Sequence, residues 1–183
     1  MRNVVIWGKK FVPYINNDTI SEAVRRSAAE INAYYKEASE DNPPLFVSIL
    51  NGAFMYTSDL MKELNFPCEL TFIKVSSYKG ESSTGKVMEV IGLNQSVEGR
   101  DIILMDDIVD SGLTMKSLYN EFSRLGARSI QIASFIYKSH TCDSAVKVDF
   151  PCITMTDTAF TIGYGLDFNG LGRNLKDIYI LEE

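Results

Sequence analysis

Short apolar runs alternate with segments of helical periodicity along the middle of this chain, and this alternation limits its possible folds more than any other feature. Four runs of aliphatic and β-branched residues predict strands at residues 45–50, 69–76, 101–107 and 129–137. Apolar residues at helical spacing predict helices at residues 19–40, 53–64 and 114–125. Because short connections join these elements in alternation, we expect an α/β fold: a mainly parallel sheet with helices on both faces.

The ends of the predicted helices carry their own signals. Thr19 followed by Glu22 predicts a capping box at the start of the first helix, and Pro43 and Pro44 predict its end. Gly126 predicts the C-terminal cap of the last helix.

Composition is that of an ordinary globular protein with one domain. Of the 183 residues, 45% are apolar and 23% charged, and no repeat or linker divides residues 1–183. The net charge of −6, without a dense basic stripe, predicts no nucleic-acid partner. No apolar run approaches the ~20 residues of a membrane span, so no membrane partner is expected. The first residues lack the apolar stretch of a secretory signal, which favours a cytoplasmic location.

Histidine and cysteine usage argues against several kinds of site. His140 is the only histidine in the sequence, which argues against a His-based catalytic triad and against a multi-histidine zinc site. The three cysteines, Cys68, Cys142 and Cys152, are an odd number without CxxC spacing. They are therefore predicted to be reduced and structural.

The most specific motif is ILMDDIVDSGLT, residues 103–114. A predicted strand brings Asp106 and Asp107 to its carboxyl end, the edge at which ligands of parallel sheets bind. The turn and helix start that follow contain Asp110, Ser111, Gly112, Leu113 and Thr114. A glycine permits close approach of a ligand, and free amides and hydroxyls can donate to a phosphate. Carboxylates suit sugar hydroxyls or hydrated magnesium.

Two other interpretations of this motif remain open on residues alone. Asp110 or Ser111 could simply cap the helix that follows, because this composition is common at helix starts. Paired acids at a strand end also resemble the metal site of a receiver domain, although such a pair comes early in a receiver chain and here it comes in the middle.

Residues 106–114 resemble the phosphoribosyl pyrophosphate (PRPP) binding motif of the purine phosphoribosyltransferase family, which includes the hypoxanthine-guanine phosphoribosyltransferases. The similarity continues in order from about residue 45 to 181. Residues 50–60 resemble the first active-site loop of the family, and residues 75–87 resemble its Ser-Tyr lid. The base-binding half of the family is matched by residues 148–150 and 160–175, with FIYK ending at Lys138.

The resemblance implies a role in PRPP binding for most of the motif. Asp106 and Asp107 would hold the ribose hydroxyls, directly or through Mg2+, and the amides and hydroxyls of residues 110–114 would bind the 5′-phosphate. Asp110 would be the catalytic base that accepts a proton from the purine. Arg173 would bind pyrophosphate, and Asp167 would contribute to a second magnesium near it.

The resemblance also implies a purine pocket. Lys138 would donate to the six-oxo group and reject the amino donor of adenine, because a lysine ammonium has no acceptor. Phe160 would stack on the ring, Ile108 would pack on its other side, and the backbone of Thr161 would read the base edge. Ser77 and Tyr78 would fold over the reactants and exclude water. On residues alone, a solvated lysine, a core phenylalanine and an exposed loop are the usual interpretations.

The chain departs from the family pattern at two positions. Asn51 precedes Gly52 where many members carry a lysine, so pyrophosphate binding would depend more on backbone amides, Arg173 and magnesium. Asp106 replaces the usual glutamate and is one methylene shorter. The first loop often contains a cis peptide in the family, and the sequence does not decide whether Asn51-Gly52 is one.

Together these features predict one phosphoribosyltransferase domain, with a small hood over the purine pocket formed by the N-terminal and C-terminal segments. The resemblance implies purine salvage: PRPP and hypoxanthine or guanine give IMP or GMP and pyrophosphate. A xanthine-preferring enzyme and a non-catalytic PRPP- or nucleotide-sensing regulator are the alternatives. The family also implies a homodimer or homotetramer.

Overall fold

The computed structural model of the chain describes residues 1–78 and 87–182. Strands in these residues are β1 (Val4–Ile6), β2 (Lys9–Ile15), β3 (Leu45–Leu50), β4 (Glu69–Tyr78), β5 (Val87–Ile91), β6 (Asp101–Val109), β7 (Ser129–Lys138), β8 (Phe150–Met155), β9 (Thr161–Ile162) and β10 (Ile178–Leu181). Helices are α1 (Asn17–Tyr34), α2 (Phe54–Glu63) and α3 (Leu113–Arg124).

The central sheet has the strand order β5-β4-β3-β6-β7-β8. Five of its strands are parallel, and β5 pairs antiparallel with β4 at the edge. β3 lies in the middle, with Leu45 opposite Glu69 on one side and Ile102 on the other. The predicted fold class, a mainly parallel sheet in an α/β domain, is confirmed.

Helices cover both faces of this sheet, as the alternation predicted. Phe46 packs on one face with residues of α1 and α2, such as Ile31 and Leu60. Its neighbour Val47 packs on the opposite face with Phe122 of α3. A strand that is buried on both sides must be apolar at almost every position, which explains the continuous run LFVSIL.

A second, antiparallel sheet has the order β1-β2-β10-β9 and is formed by the N-terminal and C-terminal segments; we call it the hood. Its small apolar cluster contains Ile6, Phe11, Ile162 and Tyr179. The buried carboxylate of Asp177, just before β10, accepts a hydrogen bond of 2.8 Å from the amide of Asn17, the first residue of α1. This contact joins the hood to the helix layer.

The boundaries predicted for the first helix were wrong at both ends. The side chain of Asn16 caps α1 by accepting a 2.9 Å hydrogen bond from the amide of Thr19, so Thr19 lies inside the helix and is not its cap. The helix ends at Tyr34, well before the prolines. Tyr35 turns inward, where its ring packs against Phe66 with a centroid distance of 5.5 Å.

Other boundaries changed little. β6 continues beyond the acidic pair to Val109, so Ile108 belongs to the strand. Gly126 follows the end of α3 with a φ of +85°, in agreement with its predicted capping role. The backbones of Ser77 and Tyr78 belong to β4 rather than to a loop, and the rest of the predicted lid, residues 79–86, lies outside the described residues.

All three cysteines lie in the described part of the chain and carry free thiols, as predicted. Within residues 1–78 and 87–182, no helix has the length and apolar character needed to cross a membrane.

Candidate active site

The carboxyl ends of β3 and β6 open into a cavity of about 350 Å3. Its walls come from five parts of the chain: the end of β3, the end of β4, the acidic end of β6, the start of α3 and the segment after β9. The lining residues are Ile49, Leu50, Asn51, Gly52, Val75, Asp106, Asp107, Thr114, Asp167 and Arg173. Seven residues predicted for PRPP or metal binding therefore surround one space.

The turn after β3 lies directly against the acidic end of β6. A Cβ atom added to Gly52 would lie 1.4 Å from Oδ2 of Asp107, so a larger residue fits at this position only if that carboxylate moves away. A cis peptide joins Leu50 to Asn51; Asn51-Gly52 is not cis. Asn51 itself is exposed at the edge of the cavity.

Asp106 is almost completely buried at the base of this cavity, with 9% of its surface exposed. Its Oδ1 accepts a 3.0 Å hydrogen bond from the amide of Asp107. Burial, followed by the neighbouring charge of Asp107, raises the pKa of Asp106 well above its usual range. The Asp106 carboxyl group therefore binds a proton more readily than an exposed aspartate does.

A smaller cavity of about 110 Å3 adjoins the first and shares Asp106 and Thr114 with it. The remaining lining residues are Ile108, Val109, Asp110, Ser111, Gly112, Leu113 and Met115. Most of these residues belong to the loop between β6 and α3 and to the start of α3, which is the predicted phosphate cradle. The first amides of a helix have no intrahelical acceptor, so the start of α3 offers donors to an anion.

The alternative of a simple helix cap is wrong for Asp110 and Ser111. The N-cap residue of α3 is Gly112, whose φ of +76° lies in the left-handed region. The hydroxyl of Ser111 accepts only a long hydrogen bond of 3.4 Å, from the amide of Leu113. A Cβ atom on Gly112 would lie 2.9 Å from Sγ of Cys142, so the loop is also packed tightly from behind.

Asp110 lies beside the end of β7. Its Oδ2 is 3.7 Å from Nζ of Lys138, and its Oδ1 accepts a hydrogen bond from the hydroxyl of Thr141. The carboxylate is half exposed, whereas only 7% of Lys138 is exposed. The structure therefore brings together the predicted base and the predicted purine-binding lysine.

A turn before β9 holds the lysine. Nζ of Lys138 donates a 3.2 Å hydrogen bond to the carbonyl oxygen of Ala159. Asp157 shapes this turn by accepting from the amide of Ala159 at 3.0 Å and from the hydroxyl of Tyr14 in the hood at 2.7 Å. The hydrogen bond from Tyr14 is the main cause that lowers the pKa of Asp157.

The two residues predicted to contact the purine after this turn differ in exposure. Phe160 is 47% exposed, and its ring packs edge-on against Phe168 at a centroid distance of 5.7 Å. Thr161 is buried in β9, and its hydroxyl has no hydrogen-bond partner among the described residues. Phe160 lines a cavity of about 510 Å3 in the hood whose lining residues do not include Lys138.

Asp167 and Arg173, which also line the larger cavity, form an ion pair with 2.5 Å between Nη2 and Oδ1. Arg173 also donates to the carbonyl oxygen of Gly165 at 2.7 Å. Gly165 in turn touches the turn after β3, because a Cβ atom there would lie 2.0 Å from the carbonyl oxygen of Gly52. These contacts hold the segment after β9 against the first loop.

Sequence reasoning missed the residues that hold the predicted site residues in place. Thr141 contacts Asp110, the carbonyl of Ala159 holds Lys138, and Cys142 packs behind Gly112. None of these residues has a sequence signal of its own, because each acts through its position in the folded chain.

Oxygen ligands for a cation are present on the larger cavity. Asp106, Asp107 and Asp167 all line it. Among residues 1–78 and 87–182, no three aspartate, glutamate, histidine or cysteine side chains form a ready-made metal cage. This donor set suits a magnesium ion, which keeps several waters and binds through one or two carboxylates together with substrate phosphates.

Comparison with known proteins supplies independent information about the whole chain. The sequence profile of the phosphoribosyl transferase domain matches residues 15–169. The hypoxanthine-guanine phosphoribosyltransferase of Bacillus subtilis is 37% identical over 169 residues, covering 92% of this chain and 91% of that protein. The hypoxanthine-guanine-xanthine phosphoribosyltransferase of Tritrichomonas foetus is 35% identical over 169 residues, covering 92% of this chain and 90% of that protein.

A solved structure agrees over the same length. The hypoxanthine phosphoribosyltransferase of Trypanosoma cruzi, in a ternary complex with substrates, superposes with a TM-score of 0.83 at 31% identity. The superposition covers 93% of this chain and 94% of that chain.

Proposed function

The chain belongs to the phosphoribosyltransferase family, and from that premise we propose that it transfers the phosphoribosyl group of PRPP to hypoxanthine or guanine. The products are IMP or GMP and pyrophosphate, and the role of the enzyme is purine salvage. The predicted family is confirmed by the comparisons. The observation that carries the proposed activity is Asp110 beside Lys138, 3.7 Å apart, next to a phosphate cradle.

In this proposal PRPP occupies the two adjoining cavities. The 5′-phosphate binds the amides and hydroxyls of residues 110–114, at the start of α3. The ribose hydroxyls lie at Asp106 and Asp107 in the larger cavity, and pyrophosphate lies toward Arg173 and the amides at Asn51 and Gly52. A guanidinium is well suited to a diphosphate because its donors are arranged as a planar fork.

The purine lies between the cradle and the hood. Lys138 donates to the six-oxo group, and the backbone of Thr161 binds the base edge. Phe160 and Ile108 contact the two faces of the ring. When the ring nitrogen attacks the anomeric carbon, the C–O bond to pyrophosphate breaks, and the proton of the purine passes to Asp110. The carboxylate also stabilises the positive charge that develops on the sugar and base.

Magnesium fits the carboxylates of Asp106, Asp107 and Asp167. An ion held there would supply positive charge to neutralise the pyrophosphate leaving group. Ser77 and Tyr78 are proposed to cover the reactants, as in the lid they resemble, and to exclude water from the reaction. A homodimer or homotetramer and a cytoplasmic location remain predictions of the family resemblance.

The test is nucleotide formation from PRPP and Mg2+ with hypoxanthine, guanine, xanthine and adenine supplied separately. We expect turnover of hypoxanthine and guanine and none of adenine, because Lys138 cannot accept a hydrogen bond from the six-amino group. Xanthine is included because one relative, 35% identical, is named for all three oxopurines. Tight binding of PRPP or nucleotide without turnover of any base would replace the proposal with a sensing role.

Asp110→Asn tests the proposed base directly. Replacing the carboxylate by an amide keeps the size of the side chain and removes the proton acceptor, so kcat should fall by about a hundredfold or more. The Michaelis constant for PRPP should change much less, because the backbone of the cradle is kept. Asp41→Asn, at an exposed turn far from the cavities, is the matched control. Near-normal turnover of Asp110→Asn would remove Asp110 from this role.

A further inference from the structure

The segment that follows β7 returns over the loop that contains Asp110. The amide of Asp143 donates a 3.2 Å hydrogen bond to the carbonyl oxygen of Ser111, and its carboxylate binds Nζ of Lys116 of α3 at 2.9 Å. Cys142 packs behind Gly112. Residues 138–143 thus hold the loop that forms the cradle.

Within this segment, one side chain reaches the carboxylate of Asp110. The hydroxyl of Thr141 donates to Oδ1, and Oδ2 faces Nζ of Lys138 at 3.7 Å. The backbone of Thr141 is itself anchored, because its amide donates to the carbonyl oxygen of Lys138 at 3.3 Å. The two oxygens of Asp110 therefore have different neighbours.

Asp110 needs such an anchor because little else restrains it. Its side chain is 52% exposed and lies in the bend between β6 and α3. An aspartate with this exposure ordinarily rotates among several rotamers, and a general base that rotates spends part of its time out of reach of its proton.

We propose that Thr141 is a positioning residue for the proton transfer: its hydroxyl holds one oxygen of Asp110 so that the other stays free to accept the purine proton. The inference rests on the proposed function, in which Asp110 is the base. Oδ2 then lies on the side of Lys138, the group that binds the six-oxo substituent. In an oxopurine the six-oxo group lies beside a nitrogen of the five-membered ring. A purine whose six-oxo group is bound by Lys138 therefore has the N–H of that nitrogen next to Oδ2 of Asp110.

Thr141→Val removes the hydroxyl and keeps the shape of the side chain. We expect kcat with hypoxanthine to fall by about tenfold, the size of effect that loss of one hydrogen bond to a charged group produces. The Michaelis constant for PRPP should stay within about twofold, since the cradle keeps its backbone contacts. Thr141→Ser restores the hydroxyl and should recover most of the lost rate.

Thr154→Val is the matched control, because Thr154 is an exposed threonine of β8 away from the cavities and should leave both constants unchanged. A more acidic oxopurine, such as an aza-substituted guanine, depends less on a base, and with it the loss in Thr141→Val should be smaller.

A double-mutant cycle separates this inference from the proposed function. If Asp110 is the base and Thr141 acts through it, Thr141→Val should cost little further activity in the Asp110→Asn background. Unchanged kcat in Thr141→Val, or an equal loss on both backgrounds, would overturn the role of Thr141 even if Asp110→Asn is inactive. A rise in the Michaelis constant for PRPP with kcat intact would also overturn it, because that result indicates a distorted cradle. Normal turnover by Asp110→Asn would instead contradict the proposed base.

Discussion

At the scale of single residues, Asp106 combines a burial that opposes stability with a proposed role in binding PRPP. It is buried at the acidic end of β6, beside a second carboxylate, and both facts raise its pKa. The folded state therefore holds the proton of Asp106 more tightly than the unfolded chain does. Proton binding contributes its full stabilisation of the folded state below the unfolded pKa of about 3.9. It is lost as the pH rises through the folded pKa.

Asp106→Asn should therefore stabilise the protein at neutral pH in the absence of Mg2+ and PRPP. Removal of a buried charge without a cation partner should raise Tm by about 2–4 °C, equivalent to about 1 kcal/mol for a chain of this size. The gain should shrink as the pH falls through the raised pKa of Asp106, because the wild-type carboxyl group is then increasingly protonated. Thermal denaturation across this pH range is the measurement.

The exposed Asp41→Asn provides the comparison for that experiment, since it removes the same charge from an exposed turn. A lower Tm of Asp106→Asn at neutral pH would show that the ionised carboxylate is well accommodated, contrary to the expected effect of its burial. Measuring kcat and the Michaelis constant for PRPP of the same variant tests the proposed contact between the carboxylate of Asp106 and the ribose hydroxyls.

At the scale of elements, the turn after β3 is held between two others. On one side Gly52 touches the carboxylate of Asp107 at the end of β6, and on the other its carbonyl oxygen touches Gly165 after β9. The two glycines differ in what opposes a larger residue. At Gly52 the obstacle is the end of a side chain, whereas at Gly165 it is backbone, with a φ of +100° as well.

Alanine at each glycine should consequently give different defects. Gly52→Ala should leave Tm nearly unchanged, because Asp107 can rotate away, but should raise the Michaelis constant for PRPP by about tenfold. Gly165→Ala should destabilise the protein by about 2–4 kcal/mol, since a strained φ and a backbone clash cannot be relieved locally. Denaturant unfolding together with PRPP titration of both variants is the measurement.

Gly170→Ala is the control for conformational strain alone, because Gly170 also has a positive φ of +86° but nothing lies within 4 Å of an added Cβ atom. Equal stability of the Gly165 and Gly170 variants would contradict the importance of the contact between Gly165 and Gly52.

At the scale of the whole molecule, the hood has a small apolar cluster of its own, and Ile178 of its strand β10 is also buried in the large cluster on the central sheet. Polar contacts link them: Asp177 accepts from the first amide of α1, and Tyr14 donates to Asp157 beside the turn that holds Lys138. The position of the proposed purine pocket therefore depends on how the hood is fastened.

Asp177→Ala should destabilise the protein by about 1–3 kcal/mol, because it leaves the partly buried amide of Asn17 without its acceptor. This corresponds to a decrease of about 2–4 °C in Tm for each kcal/mol. Asp177→Asn retains an oxygen acceptor, so its loss of stability should be smaller than that of the alanine variant. If the alanine variant were as stable as wild type, the link between the hood and α1 would not contribute to folding.

Local patterns predicted much of this architecture. β3 was predicted from six consecutive apolar or small residues with no change of boundary, and α2 and α3 were predicted to within one residue at each end. The start of α1 was missed because Asn16 and Thr19 are both good caps, and the choice between them depends on where the chain enters from the hood. Its end was missed because Tyr35 packs against residues distant in sequence.

The sequence alone determined the class of fold and the acidic, glycine-containing loop, because periodicity and short motifs act between residues that are near one another in the chain. Tertiary structure decided which carboxylate is buried, which residues share a cavity, and which side chain holds Asp110. Thr141 and Asp110 are 31 residues apart, and Asn17 and Asp177 are 160 apart. Contacts over such separations arise only when the sheet assembles, since its register sets which strand ends lie together.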